Sequence, residues 1–362
     1  MEIPKMKIAL DISQIVYETG VSVYTQNLVK NLLEIDNQNE YILFGGSGRK
    51  LDYLKNFTKN LKGNFKAKFF PTPPILSDFI FNKLHVLSVE NLIGKVDVFH
   101  SSDWTQPKSS AFKVTTIHDL APILFPQYTH PRINKVHKRR LAWVKKEVNR
   151  IIVPSQSIKN DLTNLGFSKA KIRVISEAVD EIFMPQSKQK IKNLKVKYNI
   201  KNDYLLSVGV GGRKNTQRLI EAFNKLDSAY NLQLVLIGNN FEFKNQKNII
   251  FTGHVSKSDL SIFYSGAKAL IYPSIYEGFG LPILEAFAMN CPVVTSNTGS
   301  LKELANSYAY LCDPESVNSI ADAIDKIIKN PQKYTEKAYK KSKEFSWQKT
   351  AKETLRIYEE FN

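Results

Sequence analysis

Thirteen short runs of β-branched, aliphatic and aromatic residues punctuate the chain, separated by segments whose apolar positions follow the helical repeat. In the first half the runs cover residues 7–13, 41–44, 65–70, 96–101, 114–117, 151–154 and 172–175. In the second they cover residues 204–208, 232–237, 249–251, 269–273, 293–296 and 309–311. Several are apolar without alternation, the pattern of strands covered on both faces. Helix-period segments between them include residues 24–33, 216–226 and 316–328. Such alternation builds parallel sheets, because a parallel strand pair needs a crossover long enough to hold a helix. The chain has 362 residues, about twice what one core usually holds. The expectation is therefore an α/β protein of two Rossmann-like domains, with parallel sheets facing a central cleft. The pattern is interrupted near residues 177–190, where Pro185 lies in a Lys/Gln/Ser cluster. This sets expected domains at 1–180 and 181–345, with a C-terminal helical piece at 346–362.

Composition narrows the class. Hydrophobic residues at 43% and charged residues at 23% exclude wholesale disorder. No apolar run approaches the roughly 18 residues of a membrane span, and the start leaves no room for a signal peptide's apolar core. Two cysteines, Cys291 and Cys312, cannot build a disulfide framework or a cysteine zinc site. The expected location is cytoplasmic. Charge is the unusual feature: 51 Lys+Arg against 34 Asp+Glu, a formal +17. Residues 49–68 carry seven basic residues and one acidic, and residues 131–150 carry eight against Glu147 alone. Such charge suits nucleic acid, anionic lipid or a phosphorylated small molecule, or belongs to solvated faces of a lysine-rich chain. Read as a helix, residues 131–150 place Ile133, Val136, Val144 and Val148 on one side. Lys135, Lys138, Arg139, Lys145 and Lys146 spread over the rest, so this helix could touch an anionic bilayer without inserting.

The densest chemistry follows the run at 269–273. There the chain reads Ser274-Ile275-Tyr276-Glu277-Gly278-Phe279-Gly280-Leu281-Pro282, with Glu285 beyond. Glycines beside a proline give a tight turn, and proline suits the first turn of a helix. The free N–H groups and positive dipole end of such a turn suit a phosphate or sugar oxygen. Two carboxylates so placed can accept hydroxyl hydrogen bonds from a ribose and a hexose. A Glu-x7-Glu pair is common by chance; the strand, glycines and proline around it make this one informative.

Residues 276–282 with Glu285 resemble the signature of glycosyltransferase family 4, the group 1 retaining nucleotide-sugar transferases of GT-B fold. Four other stretches agree in the family's order. Gly20-Val21-Ser22-Val23-Tyr24 resembles the glycine-rich turn after the first strand. Thr116-Ile117-His118-Asp119-Leu120 with Phe125-Pro126 resembles the family's His-Asp-Leu segment. Gly209 with Arg213-Lys214-Asn215 resembles the donor-phosphate segment, and Pro292-Val293-Val294-Thr295-Ser296 the strand after the signature helix. One departure stands out: many members carry an arginine directly after the glycine, where this chain has Val210. No Asp-x-Asp occurs, which argues against a metal-binding pair of that type.

The resemblance implies an acceptor-binding N-terminal domain, a donor-binding C-terminal domain and a helix from residues 347–361 that crosses back to the first. It implies transfer of a hexose from a nucleoside diphosphate sugar to an acceptor hydroxyl, with retained configuration and no metal or other cofactor. GDP-mannose is the first expected donor and a UDP-hexose the second. The acceptor would be a saccharide or lipid-linked saccharide in surface polysaccharide or glycolipid synthesis. His118 would hold the transferred sugar, Lys214 and Arg213 the diphosphate, Glu277 the hexose hydroxyls and Glu285 the ribose. Gly20 would approach phosphate, Gly253-His254-Val255 would lie against the base, and Gly278, Phe279, Gly280 and Leu281 would form the donor turn. The alternatives are a non-catalytic nucleotide-sugar binder and a nucleic-acid-binding protein drawn to stretches such as His137-Lys138-Arg139-Arg140, although no nucleic-acid module is visible.

Overall fold

A computed structural model describes residues 5–17, 19–239, 243 and 246–361. It divides the chain into two compact units, Met1–Glu177 with Ser346–Asn362, and Ala178–Phe345. The strands are β1 (Lys7–Asp11), β2 (Glu40–Gly46), β3 (Phe65–Phe70), β4 (Val98–Ser101), β5 (Phe112–Thr116), β6 (Arg150–Val153) and β7 (Ile172–Val174) in the first unit. The second unit contributes β8 (Asp203–Val208), β9 (Leu232–Ile237), β10 (Ile249–Phe251), β11 (Ala269–Tyr272), β12 (Val293–Ser296) and β13 (Tyr310–Cys312).

The first unit's sheet runs in the order β3-β2-β1-β4-β5-β6-β7 and the second's in the order β10-β9-β8-β11-β12-β13. Every ladder within them is parallel. β4 and β11 are buried along their whole length, and β11, Ala-Leu-Ile-Tyr, is the unbroken run expected of a strand covered on both faces. At the first sheet's edge β3 reads Phe-Lys-Ala-Lys-Phe-Phe and is half exposed, its lysines guarding an unpaired edge. In the second unit one apolar cluster contains Tyr204, Phe263, Leu284 and Phe287, and another contains Leu205, Leu219, Ile271 and Ile324. The two sets alternate along β8 and β11, so they lie on opposite faces of the sheet. Both cysteines are free and buried, which pushes each thiol up to about 12.

In each sheet the order reverses once, between β1 and β4 and between β8 and β11. An open parallel sheet leaves a crevice at such a switch point, outside the carboxyl ends of its strands. These two crevices position the chemistry described below.

Two local expectations change. The helix begun at Pro131 ends at Glu147, with Val148 extended, and Arg150 opens β6 instead of closing the helix. The stretch His137-Lys138-Arg139-Arg140 is not one cationic surface, because Arg140 is fully buried. Its guanidinium donates to Ser102 O at 3.1 Å, Thr115 Oγ1 at 2.7 Å and Thr116 O at 3.1 Å, and pairs with Asp103 at 3.2 Å. A buried guanidinium persists only with such a set of acceptors.

The helix Trp347–Glu359 is part of the first unit. Thr350 donates to Ser176 O at 2.8 Å, and the Tyr358 hydroxyl lies 2.6 Å from His100 Nδ1.

Candidate functional site

The second unit's switch point is built from two loops that hold each other. After β8 the backbone turns at Gly209, whose φ is +87°, into the loop carrying Arg213 and Lys214. A side chain at residue 209 would meet Lys214 Cε at 2.9 Å, so glycine is required both by φ and by the lysine lying across it. Asn215, left-handed and buried, donates to Pro273 O at 3.0 Å and Pro314 O at 2.6 Å, tying this loop to the end of β11. From the other side Ile275 N donates to Arg213 O at 3.0 Å.

Glu277 is the centre of the cluster. Lys214 Nζ lies 2.6 Å from its Oε1, Arg213 Nη1 2.9 Å from its Oε2, and the Ser274 hydroxyl 2.5 Å from Oε1. Lys214 also donates to the Tyr272 hydroxyl, and Arg213 to Tyr276 O at 2.6 Å. Burial alone would raise the Glu277 carboxyl, but the charges of Lys214 and Arg213 prevail and hold it down at about 2. It is an anion at every physiological pH. The sequence expectation treated the two cations and Glu277 as separate contributors; the structure joins them into one polar group. Tyr272 and Ser274, which complete it, carried no sequence signal beyond the ordinary residues of a strand end.

Gly280, at φ +105°, caps the helix Leu281–Ala288, and Pro282 lies in its first turn. A side chain at residue 280 would strike Leu301 Cδ2 at 2.9 Å. Gly278 is buried, and Phe279 is a packing residue, edge-on to Phe345 at 5.9 Å. Leu281 packs against the second unit's apolar cluster. Within the same helix Glu285 accepts from the Tyr264 hydroxyl at 2.7 Å. Burial raises this carboxyl to about 7, against that hydrogen bond and the Lys257 charge. The two expected carboxylates thus differ sharply: Glu277 is permanently charged, whereas Glu285 titrates near neutrality.

At the ends of β9 and β10 two more glycines meet. Gly238 N donates to Gly253 O at 3.1 Å and Gly253 N to Gly238 O at 3.2 Å, both with positive φ. His254 is exposed beside them and Val255 is buried. Val210 fills the position where an arginine was noted as usual. A side chain at residue 238 would meet Val210 Cγ2 at 2.9 Å, so valine there packs on the neighbouring turn.

The first unit gathers a different set. His118, two residues past β5, is buried, with Nδ1 2.8 Å from Glu177 Oε1. Tyr24 stands edge-on to its ring at 4.5 Å and 76°. Burial pushes the imidazole down, but the hydrogen bond and charge of Glu177 outweigh it and raise it above its ordinary value. Since Glu177 takes Nδ1, Nε2 is the nitrogen left for a ligand. Glu177 lies 59 residues from His118 in sequence, and nothing in the local pattern marks it as a partner. Gly20 is exposed at the first position of the helix Gly20–Ile35, where Thr19 N donates to Ser22 Oγ at 3.1 Å.

At the first unit's own switch point lies a cavity of about 250 Å³ that sequence reasoning did not foresee. Asp11, Ser102 and Thr105 supply polar walls, and Phe44, Phe70 and Trp104 apolar ones. Burial raises the Asp11 carboxyl despite hydrogen bonds from Ser13.

Comparison with known proteins agrees with this architecture. The family described as "Glycosyl transferases group 1" matches residues 189–345, and "Glycosyltransferase Family 4" matches residues 19–182. O-antigen chain mannosyltransferase B of Escherichia coli is 27% identical, over 98% of this chain and 99% of its own. O-antigen chain mannosyltransferase RfbU of Salmonella typhimurium is 29% identical over 60% of this chain and 61% of its own. Among solved structures, Anabaena HepE in complex with UDP and glucose superposes with a TM-score of 0.72 at 17% identity, covering 97% of this chain and 99% of that one. With one glycosyltransferase family matched to each half and two parallel-sheet units that share the neighbours' fold, the chain belongs to the group 1, family 4 glycosyltransferases of GT-B architecture.

Proposed function

We propose that the protein transfers a hexose, with retention, from a nucleoside diphosphate sugar to an acceptor hydroxyl during synthesis of a surface polysaccharide or glycolipid. The observation that carries this reading is the Arg213–Glu277–Lys214 cluster at the second unit's switch point. A departing diphosphate gains negative charge as the glycosidic bond breaks, and fixed cations there stabilise it without reorganising. Glu277 keeps the two cations in place. Ser274, Lys214 and Arg213 converge on its carboxylate, and a sugar hydroxyl would have to share it with them.

The bond between the sugar's C1 and the β-phosphate oxygen breaks, and the acceptor oxygen bonds C1 on the same face. The acceptor's proton passes to the departing phosphate. His118 would hold the transferred sugar through Nε2, Glu285 the ribose, and Gly253-His254-Val255 the base. Gly20 would approach phosphate, and the Asp11 cavity would receive the acceptor. The names of the Escherichia coli and Salmonella relatives support mannose as the transferred sugar, which GDP-mannose would supply; the UDP complex of the Anabaena neighbour supports a UDP-hexose as the competing donor. A protein working on such an acceptor would act on the cytoplasmic side.

Thermal shift against GDP, UDP, ADP and their sugars tests the donor, since a ligand bound to the folded state raises its melting temperature. GDP-mannose should give the largest shift; no shift with any nucleotide would refute the reading. Transfer should persist in excess EDTA, and Lys214→Ala should lower turnover at least about 100-fold. Activity lost in EDTA and restored by Mn²⁺ would overturn the metal-free mechanism.

A further inference from the structure

The C-terminal helix Trp347–Glu359 carries hydroxyls along its buried face, where packing alone would favour aliphatic groups. Trp347, Thr350, Thr354 and Tyr358 recur at the helical repeat; at about 100° per residue they fall within an arc of roughly 80°. All four are buried, Thr354 and Tyr358 fully. A hydroxyl taken out of water costs stability unless it finds a partner, so the contacts of this stripe are specific ones.

Two lines of contact leave the stripe and end on one side chain. The first starts at Tyr358, whose hydroxyl lies 2.6 Å from His100 Nδ1. His100 Nε2 lies 3.0 Å from Thr116 Oγ1, and Thr116 Oγ1 lies 3.2 Å from the Tyr24 hydroxyl, which Thr354 also faces. Burial holds the His100 imidazole down at about 3, so it is neutral, with one nitrogen donating and the other accepting. Trp347 stands edge-on to the Tyr24 ring at 5.9 Å, and Tyr24 edge-on to His118 at 4.5 Å. The second line starts at Thr350, which donates to Ser176 O at 2.8 Å. The next residue, Glu177, lies 2.8 Å from His118 Nδ1. The His118 ring therefore rests on Tyr24 and Glu177, and both are tied to the same face of one helix.

We propose that this stripe is a positioning element for the transfer reaction: Tyr358 and Thr350, acting through Tyr24 and Glu177, fix the His118 ring where its Nε2 meets the bound sugar. Members of a buried hydrogen-bonded network strengthen one another, so a hydroxyl deleted at one end loosens the other. A displacement of about 1 Å, even from a change far from the chemistry, can cost about a hundredfold in rate. The proposal rests on the reading that His118 holds the transferred sugar, and extends it to residues buried away from any substrate.

The experiment compares Tyr358→Phe and Thr350→Val, which delete one hydroxyl each and keep the shape, in the parent and in a His118→Ala background. In the parent each should lower kcat about tenfold or more with the donor KM held within about twofold, and Thr350→Ser should restore turnover. In the His118→Ala background neither should lower turnover further, because a residue acting through His118 has nothing left to position. An equal fall in both backgrounds marks a merely structural role and overturns the proposal, as does parent turnover in both folded variants. His118→Ala at parent turnover removes the sugar-holding reading and the proposal with it, an outcome distinct from those two. The ligand-free protein supplies a readout independent of transfer. Followed by NMR, the ring nitrogen signals of His118 should move in Tyr358→Phe and Thr350→Val and return in Thr350→Ser. Signals unmoved in both variants overturn the proposal whatever the turnover.

Discussion

Glu285 and Glu277 are chemically identical side chains eight positions apart, and their surroundings drive them in opposite directions. Glu277 is held near 2 by two cations, whereas Glu285, facing only a tyrosine hydroxyl at close range, rises to about 7. If Glu285 takes the donor ribose, Glu285→Ala should cost on the order of 1.5–3 kcal/mol of nucleotide affinity. Calorimetry returning an unchanged affinity for a folded variant would remove that role. Stability supplies an independent check. Between the ordinary value of 4.5 and the folded value of about 7, the folded state binds more protons than the unfolded one. Its contribution is therefore fully present below about pH 4.5 and lost as pH rises through about 7. Glu285→Gln should melt higher than the parent above about pH 7, with the gain shrinking towards about pH 5; a gain independent of pH would contradict the assignment. At His118 the balance runs between burial and Glu177. Glu177→Gln removes the charge and leaves the burial, so the imidazole should titrate below its ordinary value, as read by NMR of its ring protons. An unmoved titration would mean that Glu177 does not set it.

At the scale of elements, the site is a product of turns at strand ends. Gly209, Gly238, Gly253 and Gly280 each stand at a positive φ. Gly209 is the sharpest case because Lys214 crosses directly over it. Gly209→Ala forces a left-handed alanine, costing roughly 1–2 kcal/mol, and displaces the lysine from Glu277. The expected result is a modest drop in denaturant midpoint with a much larger fall in turnover. Equal wild-type turnover would show that Lys214's position is not what the glycine protects. The helix Pro131–Glu147 shows the opposite lesson: its apolar stripe was legible, yet Arg140 among its basic residues serves the interior. Periodicity reports which side of a helix is apolar, not which charged residue finds buried acceptors on a neighbouring strand.

For the whole molecule, the C-terminal helix makes the first unit discontinuous in sequence. Trp347, Ala351, Ile357 and Tyr358 are buried in that unit. Burying large side chains of this kind contributes about 1.5–3 kcal/mol each, so the helix supplies a sum comparable with the entire stability of a domain. Truncation before Ser346 should therefore leave residues 5–177 with little protection from hydrogen exchange, while β8 to β13 stay protected. Uniform protection in both would show that the helix is an accessory.

What the sequence determined by itself was the architecture and the turns at which the candidate site lies. Each of the thirteen runs read as a strand is a strand, because an apolar run flanked by turn residues needs no distant information to become one. The stretches 213–215 and 276–282 were legible for the same reason: a turn at a strand end is a local object. What only the tertiary structure decided is which of these residues share a charge. Arg213 and Lys214 meet Glu277 across more than sixty residues, His118 meets Glu177 across fifty-nine, and Tyr358 meets His100 across 258. Sheet order brings these pairs together, and protonation state follows from it. A carboxylate's pKa depends on the low-dielectric surroundings and charges within a few ångströms, and those neighbours exist only once the strands have taken their places.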